Sequence, residues 1–411
     1  MLEAAIAVED YVVGLRRYFH QYPEVSMKEF QTIEKVKTEL EQIGIPYEVV
    51  HDGGIIGTIK GSEPGKTMML RADLDALPMQ ESPMNLKQPK QVVSKNEEAA
   101  HTCGHDAHMA MLLGAAKVLH AHKNKFAGKV LVVFEQGEEI GGGIYALLKR
   151  LTEIGVDGVW GIHMKNDLAS GKISVDAGPR MAGAFPFKVI INGESGHGSR
   201  PDLAVSPVDA FVDFYQKITA MRLHKLNPFE PITYSVGTVS AKGAANVIPE
   251  KIEFSGTARY LHIEQGRTAA AEFKRLLEAT CDFHGCTFEY VVEPEAKDIV
   301  VYNHGDCARI AEHAIKKSLG KEVLAKHAAW MASEPFAFYQ KYFPGVFAFL
   351  GTYNEALGTG AEHHNTHFDI DEDVLKIGVA ATLQYTLDFL SFKEKIDFTP
   401  TKESMDQLFG K

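Results

Sequence analysis

Short apolar runs alternate with helix-like stretches through the first part of the chain, and that alternation restricts the fold more than any other pattern. Ile55 to Ile59, Met68 to Leu70, LVVFEQ from Leu131 to Gln136 and VWGIHM from Val159 to Met164 have the length and apolar content of strands. Between them, Glu29 to Ile43 has helical periodicity and stops near Gly44, and Met109 to His122 reads as a helix. Strands alternating with helices predict an α/β domain with a mostly parallel sheet flanked by helices.

Around Met181 the texture changes. FPFKVIING (Phe185 to Gly193) reads as a strand, and Pro207 to Leu226 as a long helix with proline at its start. The strand candidates TYSVGTVS and KIEFSGTARY, a helix from Gly266 to Gly285 and the strand TFEYVVE follow. The order β-α-β-β-α-β is that of a ferredoxin-like α+β sandwich. The α/β texture then resumes with Ala308 to Leu319, VFAFLG and a helix from Asp371 to Leu390. The expected organisation is a large α/β domain made of residues 1–183 and 295–411, with a smaller domain, residues 184–294, inserted into it. Leu86 to Ala100 is polar and patternless and reads as a loop, and the polar tail after Ser391 reads as partly disordered.

Composition excludes several classes of function. A chain of 411 residues, 45% hydrophobic and 24% charged, is long enough for two or three domains with large cores. Its net charge of −11 argues against a nucleic-acid partner, which wants a basic face. No stretch reaches the roughly 18 consecutive apolar residues of a membrane span. Glu3, Glu9 and Asp10 break up the N-terminal apolar residues, which therefore read as an amphipathic helix, not a secretory signal. The four cysteines, Cys103, Cys281, Cys286 and Cys307, are too few for a disulfide framework and fit a reducing compartment. A cytoplasmic location without membrane association is the expectation.

Five segments place metal-type side chains at the ends of expected strands or in the loops beside them, where open α/β sheets bind ligands. They are LRADLDALP with Asp73 and Asp75, HTCGHDAH with Cys103, His105 and Asp106, FEQGEEIGGG with Glu138 and Glu139, GIHM ending at His163, and AEHHNTHFDID with His363, His364 and His367. Each has an ordinary reading by itself. A lone cysteine is usually a small buried hydrophobe, paired glutamates suit the first turn of a helix, and aspartates form turns and caps. Together they offer thiolate, imidazole and carboxylate donors, a mixture that suits zinc and also cobalt, nickel or manganese. The Glu-Glu pair offers a division of labour, one carboxylate binding metal while its neighbour handles a proton. A water whose pKa a divalent ion pulls toward ~7 attacks an amide, given a nearby base.

These segments resemble those of the dinuclear aminoacylase and carboxypeptidase G-like metallopeptidases, in particular their amidohydrolase subfamily. That group includes hippurate hydrolases, auxin-conjugate hydrolases and N-acetyl-diaminopimelate deacetylases. The resemblance runs through nearly the whole chain: HQYPEVSMKE, the five segments, GESGHGSRP, NVIPE, GTARY and MASEPFAFYQKYFPGVFAFLG occur in order. It implies metal-dependent hydrolysis of the amide bond of N-acyl amino acids, with dipeptidase or carboxypeptidase activity as the alternative. Cys103, His105, Glu139, His163 and His364 match ligands of two divalent ions (Zn, Mn, Co or Ni), with the Cys103 thiolate placed to bridge them. Glu138 matches the general base, and Asp75 the aspartate that orients a ligand or supports the base. His197 matches a lid histidine that polarises the scissile carbonyl across a dimer interface. Asn246 and Arg259 match lid residues that hold the substrate's carboxylate or carbonyl. The resemblance thus implies a homodimer or higher homo-oligomer, with the inserted domain as lid and dimerisation module. Without it, His197 reads as a turn residue, Asn246 as a turn cap and Arg259 as half of a surface ion pair. Two rival classes are a metal-dependent binding protein without catalysis and a cysteine hydrolase using Cys103 with His105.

The chain also departs from the pattern. Pro335 stands in SEPF where an acidic residue usually precedes the phenylalanine, and Thr366 where proline is common. His363 beside His364 leaves two candidates for the last ligand; spacing to Phe368 and Asp369 favours His364. The Leu86 to Ala100 loop is unusual for the group, and Trp330 and Met331 are acyl-pocket candidates by their nearness to SEPF alone.

Overall fold

Thr67–Asp73 is buried along its whole length, as expected of a strand covered on both faces. In the computed structural model, which describes residues 1–410, it lies in the middle of a seven-stranded sheet. The spatial order is Tyr47–Val50, Gly54–Lys60, Lys129–Glu135, Thr67–Asp73, Gly158–Ala169, Gly345–Tyr353 and Ile173–Ser174. The four central strands are parallel, and the outer pairings at both edges are antiparallel. This is the α/β fold expected, with the parallel part confined to the centre.

Alternation along the strands sorts the chemistry. Met68, Leu70, Ala72, Val130, Val132 and Phe134 join the main core, which also takes in the helices Glu9–Gln21, His105–Ala121 and Leu375–Ser391. Residues of the other parity near the carboxyl ends of the strands, Arg71, Asp73 and Glu135, are polar and bonded to one another. His105–Ala121 is apolar nearly all round, because other helices and the sheet enclose it. Trp160 on the sheet stacks on Tyr385 with ring centroids 4.6 Å apart and donates to Thr382 Oγ1 at 3.0 Å.

The chain divides into two compact units. The first comprises Met1–Gly178, Tyr302–Ala328 and Pro335–Lys411, and contains the seven-stranded sheet. The second comprises Pro179–Val301 and Ala329–Glu334. Its four-stranded antiparallel sheet has the order Ile232–Ala241, Lys251–Tyr260, Gly183–Asn192, Thr287–Val292. The helices Pro207–His224 and Ile263–His284 complete a ferredoxin-like β-α-β-β-α-β unit around Phe187, Phe214, Phe254 and Phe273. Ser206 caps the first helix by accepting from Asp209 N, and Gly285 ends the second.

The tail differs from its expected disorder. Ser404 and Gln407 form a reciprocal capping box that starts the helix Met405–Phe409. Phe409 stacks on Phe338 at 4.3 Å, Leu408 is buried, and Tyr145 donates to Asp406 at 2.8 Å. Polar content misled here because few apolar residues suffice to anchor a short helix. No helix among the described residues is long and apolar enough to cross a membrane.

Candidate metal centre

Local backbone rules bring the candidate ligands together. Gly104, between Cys103 and His105, has φ +94°, and a Cβ there would lie 2.9 Å from Met164 Cγ. Only glycine accommodates both the left-handed backbone and the close approach, which turns the chain straight into the helix His105–Ala121. Gly137 (φ +62°) does the same after the strand Lys129–Glu135, leading into the short helical turn Glu138–Ile140. The buried Glu29 carboxylate fixes that turn, accepting from Gly137 N at 2.7 Å and Gln136 Nε2 at 3.1 Å. His163 projects from the strand Gly158–Ala169. His364 has φ +62° and donates its N–H to Thr102 O at 3.0 Å, which sets it beside Cys103.

Two sets of donors result, and they share Cys103. Cys103, His105 and His163 offer one atom each within 4.8 Å of one another, and so do Cys103, Glu139 and His364. Within them, His163 Nε2 lies 3.8 Å from Cys103 Sγ, and His364 Nε2 lies 3.2 Å from Glu139 Oε1. Glu138 groups with Asp75 and His105, its Oε2 3.8 Å from His105 Nε2. Asp75 does two jobs: Oδ1 faces His105 Nδ1 at 3.2 Å, while Oδ2 accepts from Glu139 N at 3.0 Å and Ser26 Oγ at 2.6 Å.

Tautomers follow from the partners. His105 Nδ1 faces the Asp75 carbonyl oxygen at 2.9 Å, and His163 Nδ1 faces the Met164 carbonyl at 2.7 Å. A carbonyl only accepts, so both Nδ1 atoms carry hydrogen, which leaves each Nε2 as the atom that can meet a metal ion. This is the arrangement of metal-binding imidazoles. His108 is different. Its Nε2 accepts from Met164 N at 2.9 Å and its Nδ1 donates to Asp73 Oδ1 at 2.7 Å, so both ring nitrogens are spent. His363 is buried, its ring 5.4 Å from that of His163.

The donor set fits divalent ions. His105 Nε2, in one set, and Glu139 Oε1, in the other, are buried without a hydrogen-bond partner, a costly state for polar atoms that a bound ion would relieve. Burial pushes the Cys103 thiol well above its ordinary pKa, and Glu139 and Glu138 add to the effect. A divalent cation reverses that balance and favours the thiolate. Burial works against a charged His105, yet Asp73, Asp75 and Cys103 lift its pKa well above the ordinary value. Burial, with His108 and His363 nearby, holds His163 well below.

The lid candidates lie in the second unit. His197 and Asn246 are drawn together by a short antiparallel ladder in which Val247 faces His197 and Gly198 N donates to Asn246 O at 2.8 Å. His197 is exposed; its Nδ1 accepts from Ser199 N at 3.1 Å and faces Ser199 Oγ at 2.8 Å. Arg259, on the strand Lys251–Tyr260, donates to Met331 O at 3.2 Å and Ser333 Oγ at 3.3 Å instead of forming a surface ion pair. Pro335 begins the helix Phe336–Tyr342, where a missing N–H costs nothing.

Sequence reasoning missed the buried chain behind Asp73. Arg71 binds Asp73 Oδ2 at 2.7 Å and Glu135 Oε2 at 2.9 Å, and Tyr339 donates to the same Glu135 oxygen at 2.9 Å. Charged residues inside otherwise apolar strands were the available signal for Arg71 and Glu135; nothing in the local sequence marked Tyr339.

An α/β sheet with thiolate, imidazole and carboxylate donors at its carboxyl edge is the framework of a metal-dependent hydrolase. The model of peptidase family M20/M25/M40 matches residues 69–388, and the chain belongs to that family. The chain is 33% identical to thermostable carboxypeptidase 1 of Saccharolobus solfataricus, over 91% of this chain and 94% of the relative. It is 31% identical to IAA-amino acid hydrolase ILR1-like 4 of Arabidopsis thaliana, over 90% and 84%. It is 32% identical to N-acetylcysteine deacetylase of Bacillus subtilis, over 89% and 93%. Among solved structures, one described as an aminohydrolase from methicillin resistant Staphylococcus aureus superposes with a TM-score of 0.85 at 31% identity, covering 95% of this chain and 99% of that one. A Bacillus subtilis protein described as a dinuclear metal binding peptidase from the M20 family gives 0.79 at 28%, covering 93% and 99%. The protein is a hydrolytic enzyme acting on amide bonds.

Proposed function

We propose that this protein hydrolyses the amide bond of N-acyl amino acids, using two divalent ions held by Cys103, His105, Glu139, His163 and His364. The observation that carries the reading is the pair of donor sets sharing Cys103, with Glu138 beside them. Relatives named IAA-amino acid hydrolase and N-acetylcysteine deacetylase support the substrate class. Bound ions would supply Lewis acidity, lowering the pKa of water toward ~7 and polarising the carbonyl.

The chain's own residues do the rest. Glu138 accepts a proton from water as the oxygen–carbon bond forms, then delivers it to the nitrogen as the carbon–nitrogen bond breaks. Asp75 keeps His105 in its Nε2-presenting tautomer and holds the Glu139 backbone. His197 donates a hydrogen bond to the oxygen that gains charge, and Asn246 and Arg259 hold the carboxylate on the amino-acid side. Residues 184–294 act as lid and dimerisation module, with closure excluding water from the site.

Dipeptidase or carboxypeptidase activity on the same machinery is the second reading, favoured by carboxypeptidase relatives at 33% identity. Both readings meet one experiment: a panel of N-acyl amino acids and unblocked dipeptides, assayed with zinc, manganese, cobalt and nickel, for wild type and Glu138→Gln. N-acyl amino acids should turn over fastest, and the variant should lose ~10² to 10⁴-fold in kcat with its metal content nearly intact. Preference for unblocked dipeptides selects the second reading. Normal turnover by the variant ends the role given to Glu138.

A further inference from the structure

The polar loop from Leu86 to Ala100 and Thr366 have no part in the reaction as derived so far. They meet in the first unit, around a lysine buried completely. The Lys90 side chain has no accessible surface, and its ammonium donates to Glu81 Oε1 at 2.7 Å and to the carbonyl oxygen of Thr366 at 2.9 Å. Glu81 is anchored in turn. Its Oε1 also lies 2.9 Å from His20 Nε2, and its Oε2 accepts from Ser94 N at 2.6 Å. His20 continues through Nδ1 to Asp106 at 2.8 Å, and Arg16 Nε lies 2.9 Å from the same carboxylate oxygen. The network therefore starts on the helix Glu9–Gln21 and ends within the first turn of the helix that begins at His105.

The residues between Glu81 and Lys90 grip the segment that carries His364, through both its main chain and its side chains. Ser82 N donates to Thr366 O at 3.2 Å, His367 Nδ1 donates to Met84 O at 2.8 Å, and Asn85 Nδ2 donates to Asp369 Oδ2 at 2.9 Å. His364 itself needs such a grip. It has φ +62°, a left-handed conformation that a non-glycine residue keeps only when its surroundings impose it, and 49% of its side chain is accessible. Packing on the imidazole does not fix it; the backbone on either side must.

We propose that Lys90 is a positioning residue for the ion held by Cys103, Glu139 and His364: with Glu81 it locks the 82–90 segment as a clamp that keeps His364 facing Glu139. The inference rests on the two-ion reading above. A buried ammonium suits the task because its two acceptors fix its position, and leaving either unpaired in the interior is costly. The position of Thr366 also acquires a role, since its carbonyl takes both Lys90 and Ser82.

The test uses the full-length, metal-loaded protein. Wild type, Lys90→Met, His367→Phe and Thr382→Val are dialysed against graded chelator, and bound metal per chain is counted by elemental analysis. Thr382→Val removes a buried bond to Trp160 away from the clamp and controls for general loss of stability. Lys90→Met should release one of its two ions at about 10- to 100-fold lower chelator activity than wild type while holding the other as wild type does. His367→Phe, which removes only the Met84 bond and keeps the network folded, should weaken the same ion by a smaller factor. Thr382→Val should hold both. If both clamp variants retain two ions at wild-type affinity, or if Lys90→Met loosens both ions equally, the inference falls while the two-ion reading stands. A wild-type protein that binds a single ion overturns that reading and the inference with it.

Discussion

Cys103 is a ligand candidate because of what surrounds it. Buried among carboxylates, its thiol is pushed up in pKa, the opposite of what a nucleophilic cysteine needs. The same surroundings suit a divalent cation, which would favour the thiolate. Glu81 shows the reverse balance: burial works against its ionised form, but His20 and Lys90 outweigh it and bring the pKa down to about 2. A depressed acid contributes stability that is fully present above its ordinary value of 4.5 and is lost as the pH falls through the folded value. The shift corresponds to on the order of 3 kcal/mol. Glu81→Gln should therefore lower the urea midpoint most at pH 5, and the gap to wild type should shrink by roughly half by pH 3. A gap that stays constant over that range would show that Glu81 acts through packing and not through its charge.

At the scale of elements, the helix His105–Ala121 sets the position of the candidate site because its first turn follows Cys103 directly. Its middle is crossed closely by neighbours: a Cβ on Gly114 would lie 2.4 Å from Val12 Cγ2 and 3.4 Å from Val379 Cγ2. Both contacts are stiff, β-branched side chains on the helices Glu9–Gln21 and Leu375–Ser391. Gly114→Val should cost about 1–3 kcal/mol by overpacking, read as a lower unfolding midpoint, and shift the helix enough to weaken metal retention. Unchanged stability would mean that the three helices separate freely at this crossing. Elements of this kind were legible because their signals are local. Gly44 ends Phe30–Ile43 as its position suggested, and the ferredoxin-like order could be read strand by strand. Helix starts were read late, at Met109 for His105 and Ala308 for Gly305, because polar and glycine residues open both helices. Of the site, the residues inside motifs could be named, whereas the tautomers of His105 and His163 required the carbonyls of Asp75 and Met164. Lys90, Glu81 and Tyr339 were not legible at all. Their partners lie many residues away in sequence, and a buried lysine in a polar loop looks like any solvated one.

At the scale of the whole molecule, the open question is whether a site is completed within one chain or between two. His197 bears on this directly. Ser199 N–H occupies its Nδ1, so Nε2 carries the hydrogen and is available to donate from an exposed position. If the protein is a homodimer and His197 serves its partner's site, two inactive variants should rescue each other. Glu138→Gln retains His197, and His197→Ala retains Glu138. Random exchange puts half of the dimers in mixed form, and each mixed dimer has one site with both groups intact. Unfolding, mixing and refolding equal amounts should thus restore roughly a quarter of wild-type activity, whereas each variant treated alone stays inactive. A histidine acting within its own chain gives a different result: every site then lacks one group, and the mixture is as inactive as its components.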